Sequence, residues 1–109
     1  MMDVNVILSY IQFHYMDATL ESVAKKFNFS ANYLSRYIQK LTGYKFYDII
    51  HHFKMQNALI YLVYSNYSLS EITDLIGYND VSYFDKVFKK KYGITAGQYR
   101  NSNQNQENV

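Results

Sequence analysis

Apolar residues recur along this chain at intervals of three and four, the period of a helix with one buried face. Val4, Ile7, Leu8 and Ile11 predict a first helix between Asp3 and Tyr15, with Asp3 as its N-cap. A second helix starts at the capping residue Thr19 and turns Leu20, Val23, Ala24 and Phe27 inward. Asn28 follows, a residue that tolerates the left-handed conformation a tight turn needs. Ser30 then caps a third helix that buries Tyr33 at least in part, together with Leu34, Tyr37, Ile38 and Leu41, and stops at Gly43. From Phe46 to Tyr64 the residues Phe46, Ile49, Ile50, Phe53, Ala58, Leu59, Leu62 and Val63 cover more than one stripe. A helix apolar over so much of its girth is packed on several sides.

Ser65-Asn66 breaks that helix. Ser68 caps a short one bearing Leu69, Ile72, Thr73 and Ile76, which ends at Gly77. Asn79 or Asp80 caps the next, with Phe84, Val87 and Phe88 inward, Lys86, Lys89 and Lys90 outward, and Gly93 as the stop. Thr95 caps a last short helix through Tyr99 and Arg100. Residues 101–109 are polar and aperiodic and are expected to form a disordered tail. The pattern thus predicts an all-α fold of about seven helices.

The chain also repeats itself. Leu20, Val23, Ala24, Phe27, Asn28 and Phe29 match Leu69, Ile72, Thr73, Ile76, Gly77 and Tyr78 at a shift of 49 residues. Tyr33, Leu34, Arg36, Ile38, Lys40 and Gly43 match Tyr83, Phe84, Lys86, Phe88, Lys90 and Gly93 at a shift of 50, so the second copy has one more residue in its turn. Each copy reads as helix, turn, basic helix and glycine stop, the layout of a helix-turn-helix. Two amphipathic helices with a polar turn also occur in bundles that bind nothing; the repeat and the placement of charge favour the DNA-binding reading.

Net charge is only +2, but its distribution is uneven. Residues 30–45 hold Arg36, Lys40 and Lys45 with no acid, and residues 79–92 hold four lysines against Asp80 and Asp85. Hydrophobic residues make up 49% of the 109, enough to bury a core. There is no proline to interrupt long helices, and no cysteine for a disulfide, a thiolate metal site or a thiol nucleophile. No apolar run approaches the roughly 18 residues of a membrane span, and no signal peptide is recognisable at the N-terminus. His51 and His52 are adjacent on a helix, point in different directions and cannot chelate as an i, i+4 pair. No phosphate-binding glycine loop or nucleophile with its base appears, so no enzyme is expected, and without a sheet there is no platform for RNA bases.

Ser82-Tyr83-Phe84-Asp85-Lys86-Val87-Phe88-Lys89-Lys90-Lys91-Tyr92-Gly93-Ile94-Thr95 with Gln98-Tyr99-Arg100, and upstream Tyr33-Leu34-Ser35-Arg36 with Thr42-Gly43, resemble the DNA-binding motifs of the AraC/XylS-type transcription regulators. The similarity runs from about Thr19 to Arg100. The chain departs from the family where Ala96 follows Thr95 in place of the usual proline, where Thr73 stands for an alanine, and where Lys54 stands for a common arginine. The resemblance implies a first helix-turn-helix subdomain over 1–45, a linker helix over 46–64, a second subdomain over 65–100 and the tail over 101–109. It implies two recognition helices in successive major grooves of double-stranded DNA, which are about 34 Å apart; a 46–64 helix would be about 28 Å long.

It further implies RNA polymerase as a second partner, no cofactor or metal, no membrane, and a cytoplasmic, nucleoid-associated protein. A sensing or dimerisation domain usual in the family is missing, so the chain reads either as an excised, monomeric domain, with Met1-Met2 carrying an added initiator, or as a single-domain regulator.

Base contacts are expected from Asn32, Ser35, Arg36 and Gln39 on the first recognition helix, and from Val81, Ser82, Asp85 and Lys86 on the second. Arginine bonds guanine bidentately and asparagine or glutamine bonds adenine, so Arg36 is the leading candidate, against the plainer reading of a solvated surface arginine. Asp85 either accepts from cytosine or is repelled by phosphates. Ser30, Lys40, Lys45, Lys89, Lys90 and Lys91 are the backbone candidates, a solvated face being the alternative for each lysine. The rival functions are a helical protein-interaction module whose basic helices meet an acidic partner and, ranked below it, an accessory domain of a nucleic-acid-processing enzyme.

Overall fold

The computed structural model describes residues 3–107, with side chains as far as residue 103. The described residues form seven helices and no strand: α1 (Val4–His14), α2 (Leu20–Lys26), α3 (Ala31–Thr42), α4 (Phe46–Tyr64), α5 (Leu69–Leu75), α6 (Val81–Tyr92) and α7 (Ala96–Glu107). The helix starts are set by local chemistry, because the first turn of a helix leaves backbone N–H groups without partners. Asp3, Ser30 and Asp80 accept from Asn5, Tyr33 and Ser82 respectively. Thr19 with Ser22, Ser68 with Glu71, and Thr95 with Gln98 form reciprocal caps in which each residue of the pair takes the other's N–H.

The chain divides into two compact units, Met1–Phe53 and Lys54–Val109. The first closes on Ile7, Ile11, Val23, Ala24, Leu34, Ile38, Phe46, Ile49 and Ile50. The second buries Met55, Ala58, Leu62, Ile72, Ile76, Tyr78, Phe84, Phe88 and Ala96. Helix α4 is therefore shared: its first part belongs to one core and its second part to the other, which is why its apolar residues fill more than one stripe. In each unit a short helix, α2 or α5, leads through a positive-φ residue into the basic helix. Asn28 (φ 61°) and Gly77 (φ 86°) hold this place, and Asn28 is the one non-glycine residue with positive φ among those described.

Several details differ from the sequence expectations. Leu41, expected inside, is 50% exposed, because the α3 core face is already filled by Leu34 and Ile38. Met55, flanked by Lys54 and Gln56, has no apolar neighbour in sequence to mark it, yet it is fully buried. Residues 101–107, expected in a disordered tail, continue α7 as a helix; Asn103 Nδ2 donates to the Tyr99 carbonyl (2.9 Å) and supports that extension. Residues 108 and 109 of the expected tail lie outside the described residues.

The three departures from the family pattern each find a partner. Thr73 is buried with its hydroxyl donated to the Leu69 carbonyl (2.7 Å). Lys54 Nζ donates to the Gly77 carbonyl (3.0 Å) and lies 4.4 Å from the centre of the Tyr78 ring. Ala96 keeps the N–H a proline would lack and donates it to Asp85 (3.3 Å). Arg100 has a role that its place in the sequence does not announce. Its Nε donates to the Leu62 carbonyl (3.1 Å), Nη1 to Tyr67 (2.6 Å), and Nη2 to Tyr61 (3.3 Å) and Ser65 (3.4 Å). One guanidinium thus satisfies carbonyls at and just past the C-terminus of α4, where a helix leaves acceptors open.

Candidate nucleic-acid interface

The repeat seen in the sequence is preserved residue by residue in the accessibility of the two basic helices. From 31 to 43, every position is as buried or exposed as the position 50 residues later. Leu34 and Ile38 correspond to Phe84 and Phe88 as the inward pair. Gly43 (φ 80°) and Gly93 (φ 84°) end the helices in the left-handed conformation, donating to the carbonyls of Gln39 and Lys89. The core residues thus fix which side of each helix is turned out.

On α3 the outward side carries Asn32, Arg36, Gln39 and Lys40. Ser35 is half-buried, at the edge of that side. On α6 the outward residues are Ser82, Lys86, Lys89, Lys90 and Lys91, while Val81 and Asp85 are half-buried. Ser30 is exposed, and its oxygen already serves the Tyr33 N–H, which leaves its hydroxyl proton available. Lys45 is exposed in the turn before α4. Asp85, expected to meet DNA, is turned to another use: its carboxylate accepts from Ala96 and ties α6 to the start of α7. Lys91 is drawn toward Tyr92, its ammonium 5.7 Å from that ring.

Arg36 and Lys40 share a shallow groove of about 320 Å³ with Tyr33, Tyr37 and Leu41. The groove is lined mainly by carbon, and Arg36 and Lys40 are its charged groups. In the second unit, burial pushes the pKa of the Tyr78 phenol well above the ordinary tyrosine value, with a smaller push from Tyr83. Burial likewise raises Tyr92, aided by Tyr99, and lowers the ammonium of Lys54. Tyr78 is buried and Tyr92 and Lys54 are half-buried, whereas Arg36, Lys40, Lys86, Lys89, Lys90 and Lys91 are exposed. Two residues missed as contributors are Lys54, which fixes the carbonyl of the turn residue Gly77, and Arg100. Their partners are main-chain oxygens, which no side-chain pattern advertises.

Two units, each offering a basic helix on a preceding helix and a left-handed turn, define a tandem helix-turn-helix domain. The family model of a helix-turn-helix domain matches residues 23–102. The uncharacterized HTH-type transcriptional regulator YpdC of Escherichia coli (strain K12) is 31% identical over 94 residues, covering 85% of this chain and 33% of its own length. The urease operon transcriptional activator of Escherichia coli is 36% identical over 81 residues, 74% of this chain and 27% of its own. In three dimensions, the C-terminal domain of AraT, a response regulator from Geobacillus stearothermophilus, superposes with a TM-score of 0.85 at 37% identity, over 91% of this chain and 84% of that one. The chain belongs to the AraC-type helix-turn-helix family, whose members bind DNA in transcription regulation. It spans about a third or less of the length of these two curated relatives.

Proposed function

We propose that the domain binds double-stranded DNA sequence-specifically by setting α3 and α6 into successive major grooves, each of which is wide enough for one helix. The observation that carries this reading is the matched exposure of the two helices, apolar side inward and cations outward at corresponding positions. Asn32, Arg36 and Gln39 have the donors and acceptors to read base edges on one helix, and Ser82 and Lys86 on the other, with Ser35 and Val81 at the margin. Asp85 is left out of the base-reading set because its carboxylate is engaged by Ala96. Ser30, Lys40, Lys45, Lys89 and Lys90 hold phosphates, with Lys91 at the edge of that set.

In this reading the domain is a monomer on its own and performs no chemistry. A sensing or dimerisation domain and RNA polymerase are partners of the full regulator, and the nucleoid is where it works. The name of the urease operon transcriptional activator supports an activating role for such a protein.

The test is a titration of duplex DNA at several salt concentrations, with a site selected from a random library and its single mismatches. About six to eight phosphate contacts give a log–log salt slope of roughly −5 to −7. Arg36→Ala is expected to remove about 1–3 kcal/mol of discrimination at one base pair. Lys90→Ala should weaken all duplexes alike and reduce the slope by about one. Salt-insensitive binding, or none to any duplex, would return the basic helices to the role of meeting an acidic protein.

A further inference from the structure

Each unit also exposes a tyrosine, at the same place in its repeat. Tyr33 on α3 is 41% exposed and Tyr83 on α6 is 49% exposed. Neither ring hangs free. Tyr33 packs on Phe29 of the preceding turn (ring centres 5.1 Å apart) and stacks on Tyr37 (6.0 Å, planes 17° apart). Tyr83 packs edge-on against Tyr78 of its own preceding turn (5.5 Å). In both units an aromatic from the turn therefore braces an exposed phenol at the start of the basic helix.

At about 100° per residue, Tyr33 lies about 20° around the helix from Lys40 and about 60° from Arg36. Tyr83 stands in the same relation to Lys90 and Lys86. In the first unit this neighbourhood is a single groove, lined by Tyr33, Arg36, Tyr37, Lys40 and Leu41. A hydroxyl and a lysine on one flank of a helix, seven residues apart, suit a row of anionic oxygens running along that flank.

We infer that the Tyr33 and Tyr83 hydroxyls each donate a hydrogen bond to a DNA phosphate at the rim of the groove their helix enters. This rests on the proposed DNA reading and adds two uncharged contacts to it. The bracing matters energetically, because a ring already fixed by its neighbours loses little freedom when its hydroxyl is engaged. Tyrosine is among the side chains that position a protein on the phosphate backbone without reading sequence. Because the donor is neutral, it displaces no condensed counterion, so its effect on affinity is separable from that of a lysine.

The experiment uses this chain, a labelled duplex of about 30 base pairs (close to three turns) carrying a selected site, and an unrelated duplex of equal length. Tyr33→Phe and Tyr83→Phe keep the braced ring and delete the hydroxyl. Each is expected to weaken binding about threefold to tenfold on both duplexes. The double variant should multiply the two losses, since the sites lie in separate units. The salt slope should stay at the parent value, whereas Lys40→Ala should lower it by about one. Phenylalanine variants that bind both duplexes like the parent would overturn the inference, as would a loss confined to the selected site, which would mark a base contact. A parent chain that binds neither duplex would instead remove the DNA reading itself.

Discussion

Arg100→Ala is expected to lower the unfolding free energy by about 2–4 kcal/mol, measured by urea titration. The guanidinium donates to four carbonyls, those of Tyr61, Leu62, Ser65 and Tyr67. Hydrogen bonds from a charged donor contribute more than neutral ones, but these four share one group that is only partly buried, so they do not sum independently. Removing the side chain also frees the start of α7 from the end of α4. Arg100→Lys should recover little, because a single ammonium cannot reproduce a planar fork reaching several acceptors. Hydrogen exchange should place the loss in the second unit, since every partner lies within it. A decrease below about 0.5 kcal/mol would mean that water replaces the guanidinium at no disadvantage.

Gln56→Pro tests α4. The position is exposed, so no core side chain is lost, and it sits within one helical turn of the boundary between the units. Proline there removes the hydrogen bond from residue 56 to the carbonyl of His52 and crowds that carbonyl, at a cost of about 3 kcal/mol or more. The expected result is a chain that keeps most of its helix by circular dichroism while its affinity for a two-turn site falls toward that of one unit. Single-turn sites should be bound nearly as before. A folded variant with parental affinity for the long site would show that α4 does not serve as the spacer.

Much of this fold is legible because its signals are local. Asp3, Thr19, Ser30, Ser68, Asp80 and Thr95 mark helix starts by competing for the N–H groups just after them, and Gly43, Gly77 and Gly93 mark ends. The α4 boundaries, Phe46 and Tyr64, follow from where the dense apolar pattern begins and stops. What escapes a reading of the sequence is contact between distant positions. Arg100 meets carbonyls 33 to 39 residues earlier, and Asp85 meets an N–H 11 residues later. The helix beyond Arg100 has no apolar period to announce it. Of the candidate site, the outward lysines, Arg36 and Gln39 are readable from periodicity alone, because the core residues between them fix the helix rotation. The half-buried positions of Ser35, Val81 and Asp85 are not, since they lie where the two sides of the wheel meet.

The matched scaffolds of α3 and α6 carry unmatched letters: Asn32 and Arg36 on one, Ser82 and Lys86 at the same places on the other. A symmetric dimer presents the same residues twice and reads a palindrome, so it looks the same from upstream and downstream. One chain with two unequal readers has a head and a tail. If α3 and α6 read bases as proposed, turning the chain end for end on its site would set Lys86 where Arg36 belongs, and every base chosen by one helix would meet the other. A domain that bound in this way would mark DNA with an arrow as well as a position, and a neighbouring protein on the same duplex would always meet the same one of its two readers.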